Sequence, residues 1–137
     1  MGGTAGRRKI MANELADKTI LLVDDDRDIR ATMKATLEQL GAKILLAADG
    51  NEAVEQAEKN SPHLIVLDMM LPKRSGFLVM EKLKRGKGPG DPPRIIMITG
   101  NPGTRHKAYA KSLGVDEYFN KPFPMDRLVE TIKKLLT

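Results

Sequence analysis

The chain has 137 residues, no cysteine and a formal net charge of +5 at pH 7. This length suits one domain of ordinary size, and the absence of cysteine excludes disulfides, thiolate metal sites and thiol catalysis. No apolar run approaches the ~20 residues of a membrane span, and the early basic residues Arg7, Arg8 and Lys9 precede no apolar stretch of the kind found in secretory signals. We therefore expect a cytoplasmic protein with no membrane partner.

We interpret the positive charge as that of a solvated surface and not of a nucleic-acid interface. The sequence has neither an aromatic platform nor a helix with a dense basic stripe, and either feature would indicate nucleic-acid recognition. We expect no direct binding of nucleic acid.

Residues 1–17 are rich in glycine, alanine and charge and show no apolar period. This composition predicts a flexible leader or an expression tag that stays outside the fold. The folded domain is predicted to span residues 18–137.

The first half of this domain alternates short apolar runs with helical periods. Thr19–Val23 is a continuous apolar run, as a strand buried on both faces requires. Lys43–Ala47 is a second predicted strand, and Asn51–Lys59 is a short predicted helix that a Ser-Pro pair ends. Between the two strands, apolar residues at intervals of four, four and three predict a helix that Gly41 ends; these residues are Ile29, Met33, Leu37 and Leu40.

The second half continues the same alternation. Its predicted elements, in chain order, are a strand at Leu64–Leu67, a helix through Phe77, Met80 and Leu83, a strand at Arg94–Thr99, a helix at Thr104–Leu113, a strand at Glu117–Asn120 and a helix with the apolar residues Leu128, Val129, Ile132, Leu135 and Leu136. Five strands alternating with five helices predict an α/β fold, a doubly wound five-stranded parallel sheet with helices on both faces.

One connection, Gly86–Pro93, is rich in glycine and proline and looks longer than a helix-to-strand link needs to be. It follows a helix and precedes a strand, the reverse of the order that aims backbone N–H groups at a phosphate. We interpret it as a connector.

Polar residues stand where the predicted strands end. Asp24, Asp25 and Asp26 follow the first strand, Asp68 follows the third, Thr99 ends the fourth, and Lys121 follows the fifth. In parallel sheets these ends share one rim, and ligands bind outside it. Residues far apart in sequence are therefore expected to converge there.

Clustered carboxylates repel one another unless a cation compensates their charge. Oxygen ligands of this kind suit Mg²⁺, which takes one or two carboxylates and often a phosphate oxygen. Lys121 supplies a second positive charge if the fifth strand lies beside the first, and the Thr99 hydroxyl can donate to a bound oxyanion. The set has what in-line phosphoryl transfer to an aspartate needs, which is charge neutralisation and positioning.

Other polar residues have simpler interpretations. Asp26 is expected to cap the helix that follows it. His63 and His106 have no partner at metal-ligand spacing, so we expect surface or hydrogen-bonded roles. The methionines at core spacing are expected to pack in the interior; they are Met33, Met80 and Met97.

Four motifs resemble those of the receiver domains of two-component response regulators. They are Val23-Asp24-Asp25, Leu67-Asp68-Met69-Met70-Leu71-Pro72, Ile98-Thr99-Gly100 and Lys121-Pro122-Phe123, in the family's order and approximate spacing. The resemblance covers residues 18–137 and is closest to single-domain, chemotaxis-type regulators. It implies a flavodoxin-like (βα)5 three-layer sandwich.

The resemblance also implies a role for each matching residue. Asp68 is similar to the phosphoacceptor, and Asp25 to the direct Mg²⁺ ligand, with Asp24 assisting directly or through water. Met70 matches the position that lends its backbone carbonyl to the metal. Lys121 resembles the lysine that pairs with the phosphoryl oxygens, and its bond to Pro122 would be cis.

The remaining implied roles concern switching. Thr99 resembles the hydroxyl that moves toward the phosphate, and Tyr118 the aromatic residue that turns inward when it does. Ser75 stands where the family often has an aspartate, a departure that we expect to alter helix capping only.

The resemblance implies that the protein is a signalling switch and not an enzyme. The phosphoryl donor would be a sensor histidine kinase or a histidine phosphotransfer protein. A downstream protein would dock on the face formed by the fourth helix, fifth strand and fifth helix. The chain would be a monomer or weak homodimer, acting as a stand-alone receiver or as the receiver of a longer regulator or hybrid kinase.

Three alternatives remain at this point. A haloacid-dehalogenase-type phosphatase also forms an aspartyl phosphate, but it pairs aspartates in a signature that residues 24–28 do not match. A flavin carrier of related fold would need a phosphate-binding loop where three aspartates stand. A receiver acting as a phosphorylation-independent docking module would not need the intact Asp68 and Lys121.

Overall fold

The computed structural model describes residues 13–100 and 104–137, with residue 104 described by its backbone alone. Every predicted strand is present, and β3 extends one residue further than expected, to Asp68. The strands are β1 (Thr19–Val23), β2 (Lys43–Ala47), β3 (Leu64–Asp68), β4 (Arg94–Thr99) and β5 (Glu117–Asn120).

Five helices alternate with the strands. They are α1 (Arg27–Glu38), α2 (Gly50–Asn60), α3 (Gly76–Lys84), α4 (Thr104–Ser112) and α5 (Met125–Leu136). Helix α1 ends before Leu40, which the apolar period had included, because the chain turns at Gln39 toward the positive-φ residue Gly41. Asp26 caps α1 as predicted, since its side chain accepts hydrogen bonds from the N–H groups of Asp28 and Ile29.

All strands are parallel and lie in the order β2-β1-β3-β4-β5. Every residue of β3 is buried, and all but the first residue of β1 and of β4, because helices cover both faces of the sheet. The order reverses between β1 and β3, so the crevice outside their carboxyl ends is the place where ligands bind in such sheets.

Alternate residues of the strands point into two separate cores. Leu21, Ile65 and Met97 pack against α2, α3 and α4 on one face. Ile20, Val66, Ile96 and their neighbours pack against α1 and α5 on the other. The predicted doubly wound, three-layer α/β fold is confirmed, and Met33, Met80 and Met97 are all fully buried as expected.

Packed structure begins before the predicted domain boundary at residue 18. Leu15 is fully buried in the core under α1 and α5, and its N–H donates a hydrogen bond to the Leu40 carbonyl. Glu14 forms an ion pair with Lys133 of α5 at 2.8 Å. The expected flexible leader is therefore wrong for residues 13–17, because one well-placed leucine anchors them, and residues 1–12 lie outside the described part of the chain.

The connector Gly86–Pro93 is organised by a buried ion pair at the amino ends of the strands. The Lys84 ammonium donates to the carbonyls of Gly88 and Asp91, at 3.1 and 2.6 Å, and lies 3.4 Å from the Asp116 carboxylate. Both side chains are almost wholly buried, with relative exposures of 0% and 2%.

None of the described helices is both long enough and apolar enough to cross a membrane.

Candidate functional site

The acidic residues predicted to converge do so at the carboxyl ends of β1 and β3. Asp24 directly follows β1 and Asp68 ends β3, and both are buried, with relative exposures of 1% and 4%. Asp25 is exposed at the mouth of the same site. One carboxylate oxygen from each of the three lies within 4.8 Å of one oxygen from each of the others.

Lys121 bridges the two buried carboxylates. Its ammonium donates to Asp24 at 2.8 Å and to Asp68 at 3.1 Å. The three residues are separated by up to 97 positions in the sequence. The predicted convergence of distant acidic side chains and one ammonium is confirmed.

Lys121 reaches the site from a strand that is not adjacent to β1. The sequence made its contribution conditional on β5 lying beside β1, but β3 and β4 separate the two strands. The Lys121 N–H donates to the Thr99 carbonyl at 2.7 Å, which holds the residue against the end of β4. From there the long side chain extends across the strand ends, and the Lys121–Pro122 bond is cis, as predicted.

The surroundings of the site raise the pKa values of both Asp68 and Lys121. Burial and the nearby Asp24 charge raise the pKa of Asp68, against the lowering effects of the Met70 N–H and the Lys121 ammonium. Burial by itself would lower the pKa of Lys121, but the hydrogen bond to Asp24 and the charges of Asp68 and Asp24 outweigh it, so that pKa is raised. The site therefore holds excess negative charge that one ammonium does not balance.

The donor set fits Mg²⁺. Three carboxylates offer oxygen ligands within the span of one ion, with no nitrogen or sulfur ligand among them. Asp24 accepts from Lys121 and the Asp26 N–H, and Asp68 accepts from Lys121 and the Met70 N–H, which leaves Asp25 as the freest of the three carboxylates. This geometry agrees with Asp25 as the direct ligand, although the ligand roles themselves remain predictions.

The connection from β3 to α3 donates a backbone hydrogen bond to the Asp68 side chain. The Met70 N–H donates to the Asp68 carboxylate at 3.0 Å, while the Met70 side chain is 61% exposed. The Gly76 N–H donates to the Met69 carbonyl at 2.9 Å. Ser75 caps α3 by accepting from the Leu78 N–H, so the residue at this position has a capping role.

Thr99 and Tyr118 occupy the positions that the sequence predicts for them. Thr99 is fully buried at the end of β4, opposite Asn120 of β5 in the strand register. Tyr118 is half-buried, and its hydroxyl is buried with no hydrogen-bond partner among the described residues. Burial raises the pKa of this hydroxyl. Their switching roles remain predictions.

Sequence reasoning missed two groups that shape the site. The Arg30 guanidinium donates to the Asp24 carbonyl at 2.6 Å, which brings a further cation to the end of β1. The Asp26 N–H donates to the Asp24 side chain. Arg30 lies one turn beyond the Asp26 cap and on the side of the helix start that faces the site, a position that the helical period could have indicated.

Comparisons with known proteins identify the family. Residues 20–133 match the family described as the response regulator receiver domain. The chain belongs to this receiver-domain family.

Individual relatives agree with the assignment. The receiver domain is 37% identical over 120 residues to the alkaline phosphatase synthesis transcriptional regulatory protein PhoP of Bacillus subtilis, an alignment that covers 88% of this chain and 49% of PhoP. The chain thus spans about half the length of the curated relatives it matches. Membership of the receiver family decides against the haloacid-dehalogenase phosphatase and the flavin carrier.

Solved structures show the same architecture. A CheY-like receiver domain protein from Methanospirillum hungatei is 32% identical, with a TM-score of 0.76 and coverage of 86% of this chain and 93% of that one. A two-component response regulator from Clostridium difficile is 27% identical, with a TM-score of 0.81 and coverage of 88% and 96%. The flavodoxin-like fold implied by the sequence resemblance is confirmed.

Proposed function

We propose that this receiver domain accepts a phosphoryl group on Asp68 and serves as the switch of a two-component or phosphorelay system. The observation that carries the proposal is the position of the Lys121 ammonium between the buried carboxylates of Asp24 and Asp68. A buried carboxylate with an adjacent cation and two further acidic groups is suited to nucleophilic attack on a phosphoryl group held beside a metal.

In the proposed reaction, a carboxylate oxygen of Asp68 attacks the phosphorus of a phosphohistidine on the partner protein. A new O–P bond forms while the P–N bond breaks, and its electron pair stays on the imidazole nitrogen. Lys121 pairs with the phosphoryl oxygens and the Met70 N–H orients the attacking carboxyl group. Asp25, Asp68 and the Met70 carbonyl would hold Mg²⁺, with Asp24 assisting, and the bound ion would neutralise charge on the phosphoryl oxygens.

The conformational switch follows from the charge of the phosphoryl group on Asp68, roughly two negative charges at pH 7. These charges attract the Thr99 hydroxyl, which opens space for Tyr118 to turn inward. Moving a two-state equilibrium from 1:99 to 99:1 takes about 5.5 kcal/mol. Charge-assisted hydrogen bonds at about 1.5–3 kcal/mol each can supply this with about two to four contacts.

The proposed partners use different surfaces. A groove of about 430 Å³ opens beside Lys121, between α1 and the loop that follows β5, and its lining includes Ile29, Phe123 and Met125. A sensor histidine kinase or histidine phosphotransfer protein docking there would bring its phosphohistidine to the site. The downstream protein would bind the α4–β5–α5 face, where Tyr118 lies.

In this role the protein is a switch that assists its own phosphorylation and dephosphorylation, and not an enzyme with a separate substrate. We expect a cytoplasmic location, where a kinase can reach it, and a monomer or weak homodimer. Any DNA binding would belong to other parts of longer regulators and not to this domain.

The test is phosphorylation by a small-molecule donor. Incubation with acetyl phosphate and Mg²⁺ should add one phosphoryl group by intact mass, whereas chelation of divalent metal should prevent the addition. Asp68→Asn should accept none, and Lys121→Gln should accept it more slowly because the phosphoryl oxygens lose their ammonium partner.

Two controls make the test specific. Asp17→Asn changes an exposed carboxylate at the amino end of β1, opposite the carboxyl ends that hold the site, and Lys73→Gln changes an amine that is 66% exposed. Both variants should be phosphorylated like the unchanged protein. Labelling that persists in Asp68→Asn would refute the assignment. A folded protein that is never labelled, by acetyl phosphate or by a phosphohistidine donor, would indicate a phosphorylation-independent docking module.

A further inference from the structure

A groove of about 390 Å³ lies between α1 and α5. Its lining includes Leu40, just after α1, and four residues of α5, which are Asp126, Val129, Glu130 and Lys133. Leu40 and Val129 are half-buried, so the described residues cover their apolar surface only in part. This surface is therefore open to a further segment of chain.

The groove continues into the one beside Lys121. Thr32 lines the groove beside Lys121, and Thr36, one helical turn later on α1, lines this one. On the opposite wall, Met125 and Val129 are related in the same way. The two grooves together form one crevice along both helices, which we call the α1–α5 crevice.

The chain itself leads into this crevice. The Leu15 N–H donates to the Leu40 carbonyl at 2.9 Å, and Glu14 pairs with Lys133 at 2.8 Å. Leu40 and Lys133 both line the groove, so Glu14 and Leu15 lie at its edge. Residues 1–12, which are outside the described ranges, are therefore attached to the domain beside the groove.

The crevice carries negative charge that the described residues do not balance. Asp28 lines the end nearer the proposed phosphorylation site, and Asp126 and Glu130 follow along α5. All three are exposed, and none forms an ion pair with another residue in the described ranges. Lys133 already pairs with Glu14. A segment with positive charge and some apolar surface would therefore suit the crevice.

Residues 7–12 have this composition. Arg7, Arg8 and Lys9 carry three positive charges, and Ile10 and Met11 follow them. Residues 1–12 contain no acidic residue. Charge complementarity of this kind favours one partner and excludes those of like charge.

The segment is also long enough. At about 1.5 Å per helical residue, the wall of α5 from Lys133 to Asp126 is about 10 Å long. About three or four extended residues, at ~3.3 Å each, span this distance. Residues 7–12 can therefore pass Val129 and bring their cations to the carboxylates of the crevice.

We propose that residues 7–12 bind in the α1–α5 crevice of their own chain, with the apolar side chains against Leu40 and Val129 and the cations facing the carboxylates. The bound segment would also cover the groove beside Lys121, where the phosphohistidine donor is proposed to dock. This obstruction of the donor rests on the proposed function, whereas the binding of the segment does not.

Attachment to the edge of the crevice favours the segment of the same chain over a second copy. A segment joined by a short linker has an effective concentration in the mM range, so contacts that are weak individually suffice to bind it. A second copy of the chain would have to reach a comparable concentration to replace it.

The experiment is disulfide cross-linking in the full chain, which has no cysteine of its own. Ile10→Cys/Val129→Cys should form an intrachain disulfide on mild oxidation, detected by non-reducing electrophoresis and by protection from alkylation in intact mass. The control Ile10→Cys/Leu78→Cys places the second cysteine on α3, where Leu78 is 53% exposed in the helical layer on the opposite face of the sheet.

The measured quantity is the ratio of the two cross-linking rates, which cancels any effect of the neighbouring cations on the reactivity of the cysteine at position 10. We expect a ratio of roughly ten, which corresponds to a docking free energy of about 1.4 kcal/mol. Raising the salt from 0.1 M to 1 M, which shortens the Debye length from about 10 Å to about 3 Å, should lower the ratio.

Charge variants test the proposed contacts from both sides. Arg7→Gln/Arg8→Gln/Lys9→Gln should lower the ratio toward one, by up to about fivefold for each ion pair lost. Asp126→Asn/Glu130→Gln should lower it in the same way. Lys43→Gln/Lys59→Gln/Lys82→Gln removes three charges from exposed positions on β2, α2 and α3 and should leave the ratio unchanged.

The obstruction is tested with two phosphoryl donors. A histidine phosphotransfer domain that labels the unchanged chain should label Arg7→Gln/Arg8→Gln/Lys9→Gln faster. Acetyl phosphate is small enough not to need the crevice and should label both proteins at the same rate. A phosphotransfer domain that labels the variant no faster would overturn the obstruction.

The outcomes separate this inference from the proposed function. A high ratio in a protein that acetyl phosphate fails to label would preserve the binding of the segment and overturn the function. A labelled protein whose two cysteine pairs cross-link equally would do the reverse. Disulfides that form chiefly between chains, or a ratio that neither set of charge variants lowers, would each overturn the inference.

Discussion

At the scale of single residues, Asp68 is subject to two opposing effects. As a nucleophile it must be ionised, yet burial and the neighbouring Asp24 favour its protonated form and raise its pKa. Lys121 and the Met70 N–H partly restore the ionised form. A reactive carboxylate at this position therefore reduces the stability of the metal-free fold.

This balance predicts that Asp68→Asn is more stable than the unchanged protein when divalent metal is chelated. The folded state binds the Asp68 proton more tightly than the unfolded state does, so stability falls as pH rises from the unfolded pKa of about 3.9 to the raised folded pKa. Asparagine has no charge and avoids this loss. We expect a Tm higher by a few degrees at pH 7, as a change of about 1 kcal/mol produces in a domain of this size.

The pH dependence provides the control. The difference in Tm between Asp68→Asn and the unchanged protein should shrink as pH falls below the raised pKa, because both proteins are then neutral at this position. Added Mg²⁺ should stabilise the unchanged protein more than the variant. A variant that is less stable at pH 7 in chelator would show that the contacts of Asp68 outweigh its charge.

At the scale of elements, the β3–α3 connection determines where Asp68 lies. Gly76, the first residue of α3, is buried against the backbone of Asp68 and Met69. A Cβ atom at this position would overlap the Asp68 carbonyl oxygen and lie 2.8 Å from the Met69 Cα atom. Because both neighbours are backbone atoms, neither can move aside cheaply.

Gly76→Ala is therefore expected to displace α3 from the strand end. Overpacking of this kind typically destabilises a protein by about 1–3 kcal/mol, and the displacement should also slow phosphorylation of Asp68 by acetyl phosphate. Thermal unfolding and intact-mass kinetics measure the two effects. The matched variant Gly88→Ala, where a Cβ meets nothing within 4 Å, should change neither; an equal loss in both would refute the steric explanation.

Elements were predictable where one strong local signal defines them. β1, β3 and β4 are short apolar runs buried on both faces, and all five strands were found in sequence. Leu15 was missed because a single buried leucine in a polar segment creates no period. The place of β5 in the sheet was also not readable from its own residues, since nothing in this short strand reports its neighbour. The sequence left open whether β5 lies beside β1, and the structure places β3 and β4 between them.

At the scale of the whole molecule, the two ends of the sheet carry different charge networks. The carboxyl ends hold the Asp24–Asp68–Lys121 site. The amino ends hold Asp116, whose carboxylate accepts from the N–H groups of Gly90 and Ile95 at 2.7 Å and from Arg94 at 3.0 Å. The first network was predictable because its members follow strands in recognisable motifs. The second was not, since Lys84 and Asp116 belong to no motif and neither follows a strand.

The separation predicts that Asp116→Asn lowers stability without impairing phosphorylation. Removing one partner of a buried ion pair typically costs about 3–5 kcal/mol, because the Lys84 ammonium stays buried beside Arg94 without its counter-charge. The NH₂ group of asparagine would also face N–H donors from which the Asp116 carboxylate now accepts hydrogen bonds. The Asp116 N–H donates to the Ile95 carbonyl, and Ile95 lies about 13 Å from Thr99 along β4 at ~3.3 Å per residue. Asp116 is therefore far from the carboxyl ends of the strands.

Chemical denaturation and acetyl phosphate labelling at low temperature would measure the two effects on the same sample. Burial lowers the pKa of Lys84, so the folded state binds this proton less tightly than the unfolded state, and stability rises with pH between the folded pKa and the unfolded value of about 10.4. The loss of Asp116 lowers the folded pKa further. The deficit of the variant should therefore be largest at neutral pH and shrink under alkaline conditions.

Asp91→Asn is the matched control, since it changes an exposed carboxylate of the same connector that accepts from the Gly88 N–H at 2.9 Å. It should cost about 1 kcal/mol or less, the net worth of one exposed hydrogen bond. Loss of Asp68 labelling in folded Asp116→Asn would contradict the independence of the two ends. It would imply that the amino-end ion pair helps to hold β5, and with it Lys121, in the position that the phosphorylation site requires.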